Sequence, residues 1–135
     1  MKFSYSITLL VFLSLLGWSA VQAQSTRGFF DEVGESLLSA SVDNLVKHFD
    51  DRIEITLLGR RQEYSQAQAQ YVMTQFFEDY PPSSFGFVQV GNSEADGTAY
   101  ATGVLRSNYG SFEVNIFVRV SGETNKVIEI RFDQE

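Results

Sequence analysis

The 135-residue sequence contains no cysteine, a single histidine and two prolines. Without cysteine, the chain has no disulfide, no lipid attached to a cysteine and no cysteine-rich zinc site. With His48 as its one histidine, it also lacks the nitrogen and sulfur ligands from which transition-metal sites are built. We therefore expect neither a cofactor nor a metal ion.

Positive charge is also scarce, with 10 Lys and Arg against 17 Asp and Glu and a formal net charge of −7 at pH 7. The basic residues are scattered, and Arg60-Arg61 is their one adjacent pair. A negative domain repels phosphate backbones and anionic lipid surfaces. We expect no nucleic-acid partner and, once the N-terminal segment is removed, no membrane partner.

The first 23 residues have the pattern of a secretory signal peptide. Lys2 provides the positive start, residues 7–16 form a short apolar run, and Val21-Gln22-Ala23 places small residues at a cleavage site. The run is shorter than the roughly 20 apolar residues that a spanning helix needs. We expect cleavage after Ala23, which leaves one domain over residues 24–135 and exports it to the periplasm or the medium.

Three segments have the apolar spacing of amphipathic helices. The pattern predicts helices over residues 29–40, over a short stretch around Leu45 that ends at Asp50, and over residues 66–78. Ser65 stands where the third helix needs an N-cap.

Most other segments alternate apolar and polar residues, as β-strands do. They predict strands over residues 53–58, 84–90, 99–106, 111–120 and 127–132.

Matching the apolar faces of the last three strands fixes their register. Leu105 is expected opposite Phe112, and Val120 opposite Ile128. The second pairing places Arg119 opposite Glu129, where we predict an ion pair worth less than about 1 kcal/mol.

Two sequence phrases carry a family resemblance: Leu45-Val46-Lys47-His48-Phe49-Asp50 running into Ile53-Glu54-Ile55-Thr56-Leu57, and Tyr64-Ser65-Gln66-Ala67-Gln68-Ala69. With the order of elements, they resemble the nuclear transport factor 2-like superfamily over residues 29–132. The second phrase looks most like a small secreted family known as domain of unknown function 4783. The resemblance implies an α+β fold, a cystatin-like cone in which N-terminal helices pack on a curved, mostly antiparallel sheet. It implies no activity, because this superfold hosts many unrelated functions.

Enzymes that resemble this fold work in the mouth of the cone, with an Asp, His or Tyr in an apolar pocket. The predicted inward rows contain no ionisable residue, so we predict no catalytic residue. The alternative is an enzyme whose acid–base residues are Tyr64, Tyr80 and Glu54. His48 offers a general base, but we interpret it as a helix-surface residue before the buried Phe49.

Small side chains leave room on the concave face of the predicted sheet. Ala99, Ala101 and Gly103 indicate either a ligand cavity or space that Phe76 and Phe77 fill. For an open cavity, the expected lining residues are Tyr64, Phe76, Phe77, Ala99, Ala101, Gly103, Val114 and Ile116.

The opposite face of the sheet is more apolar than a face fully open to water. A second copy of the chain is its expected cover. The expected interface residues are Phe85, Phe87, Tyr100, Phe117 and Arg119.

Our leading interpretation is therefore an exported, non-enzymatic binding module with a small apolar pocket. The alternatives are a small isomerase, dehydratase or hydrolase acting on an apolar substrate in the cone, and a dimerising protein-interaction module. A filled cone favours the interaction module.

Overall fold

The computed structural model of the protein describes residues 26–93, 96–122 and 124–135. The predicted signal peptide over residues 1–23 lies outside the described residues. The described elements run in the order α1 (residues 26–38), α2 (Val42–Lys47), β1 (Phe49–Leu57), β2 (Arg60–Ser65), α3 (Gln66–Asp79), β3 (Pro82–Ser93), β4 (Thr98–Ser107), β5 (Gly110–Ser121) and β6 (Thr124–Gln134). The predicted fold class is confirmed: helices pack on one curved, mostly antiparallel sheet.

Helix α3 begins at a capping box, as the position of Ser65 predicted. The backbone N–H of Gln68 donates to Ser65 Oγ at 3.3 Å, and the Gln68 side chain accepts from the backbone N–H of Ser65 at 3.1 Å. Two of the N–H groups that a helix start leaves without partners are therefore bonded locally. The helix continues to Asp79, one residue beyond the predicted end.

The six strands have the spatial order β2-β1-β6-β5-β4-β3. The β1–β6 pair is parallel, and the other four pairs are antiparallel. Leu105 lies opposite Phe112 and Ala101 opposite Ile116, so the predicted register of β4 and β5 is confirmed.

The predicted register of β5 and β6 is wrong. Val120 lies opposite Asn125 rather than Ile128: the regular part of the pair, with Ile116 opposite Ile130, is two residues from the predicted register, and an irregularity between Phe117 and Val118 adds one more. The predicted ion pair between Arg119 and Glu129 is wrong as well. Arg119 Nη2 instead lies 2.5 Å from Asp50 Oδ2 on β1.

The structure also contains a strand that the pattern did not predict. Strand β2 pairs antiparallel with β1 and places Tyr64 opposite Ile53. The second helix ends at Lys47, and Phe49 and Asp50 belong to β1. Strand β2 and helix α3 together form the region that contains the candidate site.

Aromatic side chains fill the space between α3 and the concave face of the sheet. The centroid of the Phe76 ring lies 4.7 Å from that of Phe132, 5.2 Å from that of Phe112 and 5.3 Å from that of Tyr80. Phe76 is 4% exposed, and both strand phenylalanines are fully buried. This cluster closes the interior of the cone. Within the described residues, no helix is both long and apolar enough to cross a lipid bilayer.

Candidate binding site

The predicted pocket residues divide into a packed set and one residue at an open depression. Seven of them are buried in the core: Phe76, Phe77, Ala99, Ala101, Gly103, Val114 and Ile116. The space beside Gly103 is occupied, since a Cβ atom there would lie 2.7 Å from Gly86 O and 2.8 Å from Phe85 Cζ. Tyr64 is the predicted lining residue that contacts an open depression.

That open depression, which we call the β2–α3 depression, has a volume of about 420 Å³. Its lining residues are Gln62, Tyr64, Ala67, Gln68, Tyr71 and Val72. Positions 67, 68, 71 and 72 share one side of α3 because residues four apart are neighbours on a helix. Gln62 and Tyr64 of strand β2 line the other side of the depression.

The chemistry of the β2–α3 depression is apolar with a few neutral polar groups. Its six lining residues include no Asp, Glu, His, Lys or Arg. Tyr64 Oη donates a hydrogen bond to Gln62 Oε1 at 3.2 Å, and Gln68 Oε1 is bonded in the capping box. Both glutamines therefore keep an amide N–H₂ as a donor. Tyr71 is 69% exposed, which leaves its ring free to stack on a bound molecule.

A second depression of about 430 Å³ lies beside His48. It is polar and is lined by Glu32, Glu35, Ser36, Ser39, Asn44, Lys47 and His48. The side chain of His48 is 20% exposed, and its ring packs edge-on against Phe29 at 5.1 Å between centroids. His48 lies at the C-cap of α2 directly before the buried Phe49, as predicted, but its ring is mostly buried rather than open on the helix surface.

Burial lowers the pKa of His48 from its ordinary value of 6.5. The neighbouring carboxylate of Glu32, with Oε2 at 3.8 Å from His48 Nε2, opposes this shift, while Lys126 on β6 and Lys47 on α2 add to it. His48 is consequently a neutral imidazole at pH 7.

Acidification is expected to destabilise the fold through His48. The folded state binds the proton less tightly than the unfolded state, so the stabilisation is complete above pH 6.5 and is lost as the pH falls through the lower folded pKa. Urea unfolding of the wild type and of His48→Gln, at about pH 7.5 and about pH 5, measures the effect. We expect the wild type to lose more unfolding free energy than the variant, and equal losses would contradict this role of His48.

The three candidate acid–base residues lie on separate surfaces. Glu54 is on the outer face of the sheet, where its Oε1 is 2.6 Å from Arg61 Nε. Tyr64 faces the β2–α3 depression, and Tyr80 packs on the rings of Phe76 and Phe112. These three side chains therefore do not form a single catalytic site.

A carboxylate pair is present on the outer face of the sheet. Glu129 lies directly opposite Glu54 in the parallel pair. Partial burial and the charge of Glu54 raise the pKa of Glu129. Among the residues that the structure describes, no group of three or more His, Asp or Glu is placed to hold a metal ion.

The predicted interface residues lie on two faces rather than one. Phe85 and Phe87 are opposite Leu105 and Gly103, so both point to the concave side, and the ring centroids of Phe87 and Phe30 of α1 are 6.0 Å apart. The prediction that Phe85 and Phe87 lie on the outer face of the sheet is therefore wrong. The other three, Tyr100, Phe117 and Arg119, are on the outer face.

Comparisons with known proteins agree on the fold. Residues 30–133 match the model of a family described as Domain of unknown function (DUF4783). Among curated proteins no significant match is found.

Three solved structures illustrate the likeness. A DUF4783 family protein from Bacteroides uniformis is 22% identical, with 78% of this chain and 95% of that chain covered and a TM-score of 0.73. Another, from Bacteroides ovatus, is 24% identical, with coverages of 77% and 93% and a TM-score of 0.72. An NTF-2 like protein of unknown function from Silicibacter pomeroyi is 8% identical, with coverages of 87% and 98% and a TM-score of 0.60.

Proposed function

The chain belongs to the family described as Domain of unknown function (DUF4783), and from this premise we propose that it is an exported, non-enzymatic binding module that holds a small ligand in the β2–α3 depression. Aromatic rings fill the cone, which by itself favours an interaction module, and it is the open depression outside the cone that supports a ligand site instead. We do not propose an enzyme, since Glu54, Tyr64 and Tyr80 lie apart.

The observation that supports this proposal is an open, largely apolar depression beside an exposed aromatic ring. Its volume of about 420 Å³ falls in the range of small-molecule sites, roughly 300–1,000 Å³. Tyr71 offers a ring face to the ligand, and Gln62 and Gln68 offer amide donors. These groups fit a neutral molecule with a planar apolar face and a carbonyl or hydroxyl oxygen. The net charge, −7 for the full sequence and −8 after loss of Lys2 (−7 − 1), disfavours an anionic ligand.

Export is part of the proposal and is supported by the charge, apolar run and small residues of positions 1–23. Removal of these 23 residues leaves a chain of 112 residues. The ligand is therefore one that is available outside the cytoplasm.

Native mass spectrometry tests whether the protein carries a ligand. The protein is purified from the periplasm or medium of cells that express the full sequence. We expect the mass of residues 24–135 with a small molecule bound. Tyr71→Ala is expected to weaken binding about tenfold, because an aromatic contact contributes about 1 kcal/mol or more. Tyr109→Ala is the matched control, since Tyr109 is similarly exposed but lies in the turn between β4 and β5.

If the protein is purified without a ligand, a neutral aromatic probe gives a second test. Indole is titrated into the protein while the backbone amide resonances are followed by NMR. Saturable shifts around Tyr64 and Tyr71 that Tyr71→Ala removes support the proposal. The absence of both a copurified molecule and such shifts would overturn it.

A further inference from the structure

The polar depression beside His48, which we call the α1–α2 depression, has one acidic wall and one basic wall. Helix α1 and the turn after it contribute Glu32, Glu35, Ser36 and Ser39, and α2 with its C-cap contributes Asn44, Lys47 and His48. Residues three and four apart are neighbours on a helix, so each set lies on one side of its helix. Two carboxylates therefore line one wall of this volume of about 430 Å³, and one ammonium group lines the other.

Several polar side chains of the α1–α2 depression have no partner in the fold. Within the described residues, the side chains of Glu35, Asn44 and Lys47 form no hydrogen bond and no ion pair. Four arginines of the sheet, in contrast, are each ion-paired with a carboxylate: Arg52, Arg61, Arg119 and Arg131. The unpaired groups of the depression can therefore bind a ligand without breaking an existing contact.

His48 and Glu32 form one end of the depression. The edge-on contact with Phe29 holds the imidazole ring in place. The Nε2 atom of His48 lies 3.8 Å from Glu32 Oε2, which is longer than a hydrogen bond. Because the imidazole is neutral at pH 7, one of its nitrogens is an acceptor. A ligand ammonium group, with three N–H donors, can donate to the imidazole and to the carboxylate at once.

We propose that the α1–α2 depression binds a free α-amino acid as its zwitterion. The ammonium group of the ligand lies against Glu32 and Glu35, with His48 as a further acceptor. The ligand carboxylate lies against Lys47 and accepts a hydrogen bond from the amide of Asn44. Opposite charges on the two walls match the opposite charges at the two ends of such a ligand. A zwitterion has no net charge, so the negative chain does not repel it as it repels an anion.

This site goes beyond the proposed ligand function, because the α1–α2 depression and the β2–α3 depression share no lining residue. The two ligands also differ in class: the first depression fits a zwitterion, and the second fits a neutral molecule with a planar apolar face. The Tyr71→Ala variant, which is expected to weaken binding in the β2–α3 depression, is therefore expected to bind an amino acid as the wild type does.

Titration of the intact purified protein at neutral pH, followed by the backbone amide resonances in NMR, tests the proposal with three probes. L-serine is the zwitterion, ethanolamine lacks its carboxylate, and 3-hydroxypropanoate lacks its ammonium group. We expect saturable shifts at residues 32–48 with serine. Its Kd is expected to be about tenfold lower than that of ethanolamine, because serine alone also forms charge-assisted hydrogen bonds with the basic wall. The third probe is expected to give no saturable shift, since the two carboxylates repel it.

Variants separate the two walls. Lys47→Gln is expected to weaken serine binding to the level of ethanolamine and to leave ethanolamine binding no weaker, whereas Glu35→Gln weakens both. Lys126→Gln is the matched control, because Lys126 also acts on the charge of His48 but does not line the depression, and we expect wild-type affinity for serine.

The comparison of probes uses the wild type alone and does not depend on the folding of any variant. Equal affinities for serine and ethanolamine would overturn the proposal of a zwitterion. The absence of a saturable shift with serine would overturn the site itself. Loss of serine binding in Tyr71→Ala would overturn its place in the α1–α2 depression.

Discussion

Replacing Phe76 with alanine is expected to lower the free energy of unfolding by about 3–5 kcal/mol, the usual cost of removing a buried phenylalanine ring. The ring packs against Phe112, Phe132, Phe77 and Tyr80, with centroid distances between 4.7 and 5.7 Å. Its loss leaves a cavity in the cone that neighbouring rings close only in part. Equilibrium unfolding in urea measures the change.

Phe117→Ala is the matched control for this prediction. Phe117 is on the outer face of β5 and is 36% exposed, so the same truncation removes less buried surface. We expect a loss of about 1 kcal/mol or less. Equal losses in the two variants would mean that Phe76 does not fill the cone.

Gly103→Ala is expected to lower the free energy of unfolding by about 1–3 kcal/mol, because the added methyl group overpacks the concave face. It would lie 2.7 Å from the backbone oxygen of Gly86 and 2.8 Å from the ring of Phe85. The ring can rotate away, but the backbone oxygen belongs to the adjacent strand and cannot move without disturbing the β3–β4 pair. Urea unfolding again measures the effect.

Gly86→Ala provides the control, since it makes the same substitution in the neighbouring strand. An added Cβ atom there meets nothing within 4 Å. We expect no loss of stability and a gain of up to about 1 kcal/mol, because alanine restricts the unfolded chain more than glycine does. A similar loss at both positions would contradict the packing at Gly103.

The sequence predicted the fold best where a single local pattern decides the outcome. In β4 and β5 the inward rows alternate without interruption, so matching them gave the correct register. In β6 the alternation of Ile128, Ile130 and Phe132 predicts a regular strand, yet the buried residues are Val127, Ile130 and Phe132, and the first two are an odd number of positions apart. The irregularity that produces this spacing depends on the partner strand and has no sequence pattern of its own.

Other features could not be predicted because their patterns are ambiguous. The sequence Arg60–Ser65 has one apolar residue, Tyr64, and therefore no alternation that would predict β2. Strand β3 has apolar residues at both parities, with Phe85 and Phe87 in one set and Val88 and Val90 in the other, so its inward face is undetermined. In the structure the irregularity before Gln89 changes the parity, so that Phe87 is opposite Gly103 and Val90 is opposite Ala101, both on the concave side.

Only one part of the candidate site, Tyr64, was predicted from the sequence. Tyr64 was expected to line a pocket, but in the cone rather than between β2 and α3. Tyr71 was missed as a lining residue because it lies off the apolar stripe of α3, and position alone does not distinguish a solvated tyrosine from one beside a depression. The depression also needs β2, which was not predicted, since Gln62 and Tyr64 of this strand line one side of it.

The parallel pairing of β1 with β6 also determines the order in which the fold forms. Ile55 lies opposite Ile130, 75 residues further along the chain, whereas two intervening residues separate β4 from β5 and two separate β5 from β6. Closing a long loop costs more chain entropy than closing a hairpin, and distant contacts slow folding. We therefore expect the hairpins of β3 to β6 to form first. The β1–β2 hairpin joins the sheet only through the β1–β6 pair, so we expect this pairing to be the slow step of folding.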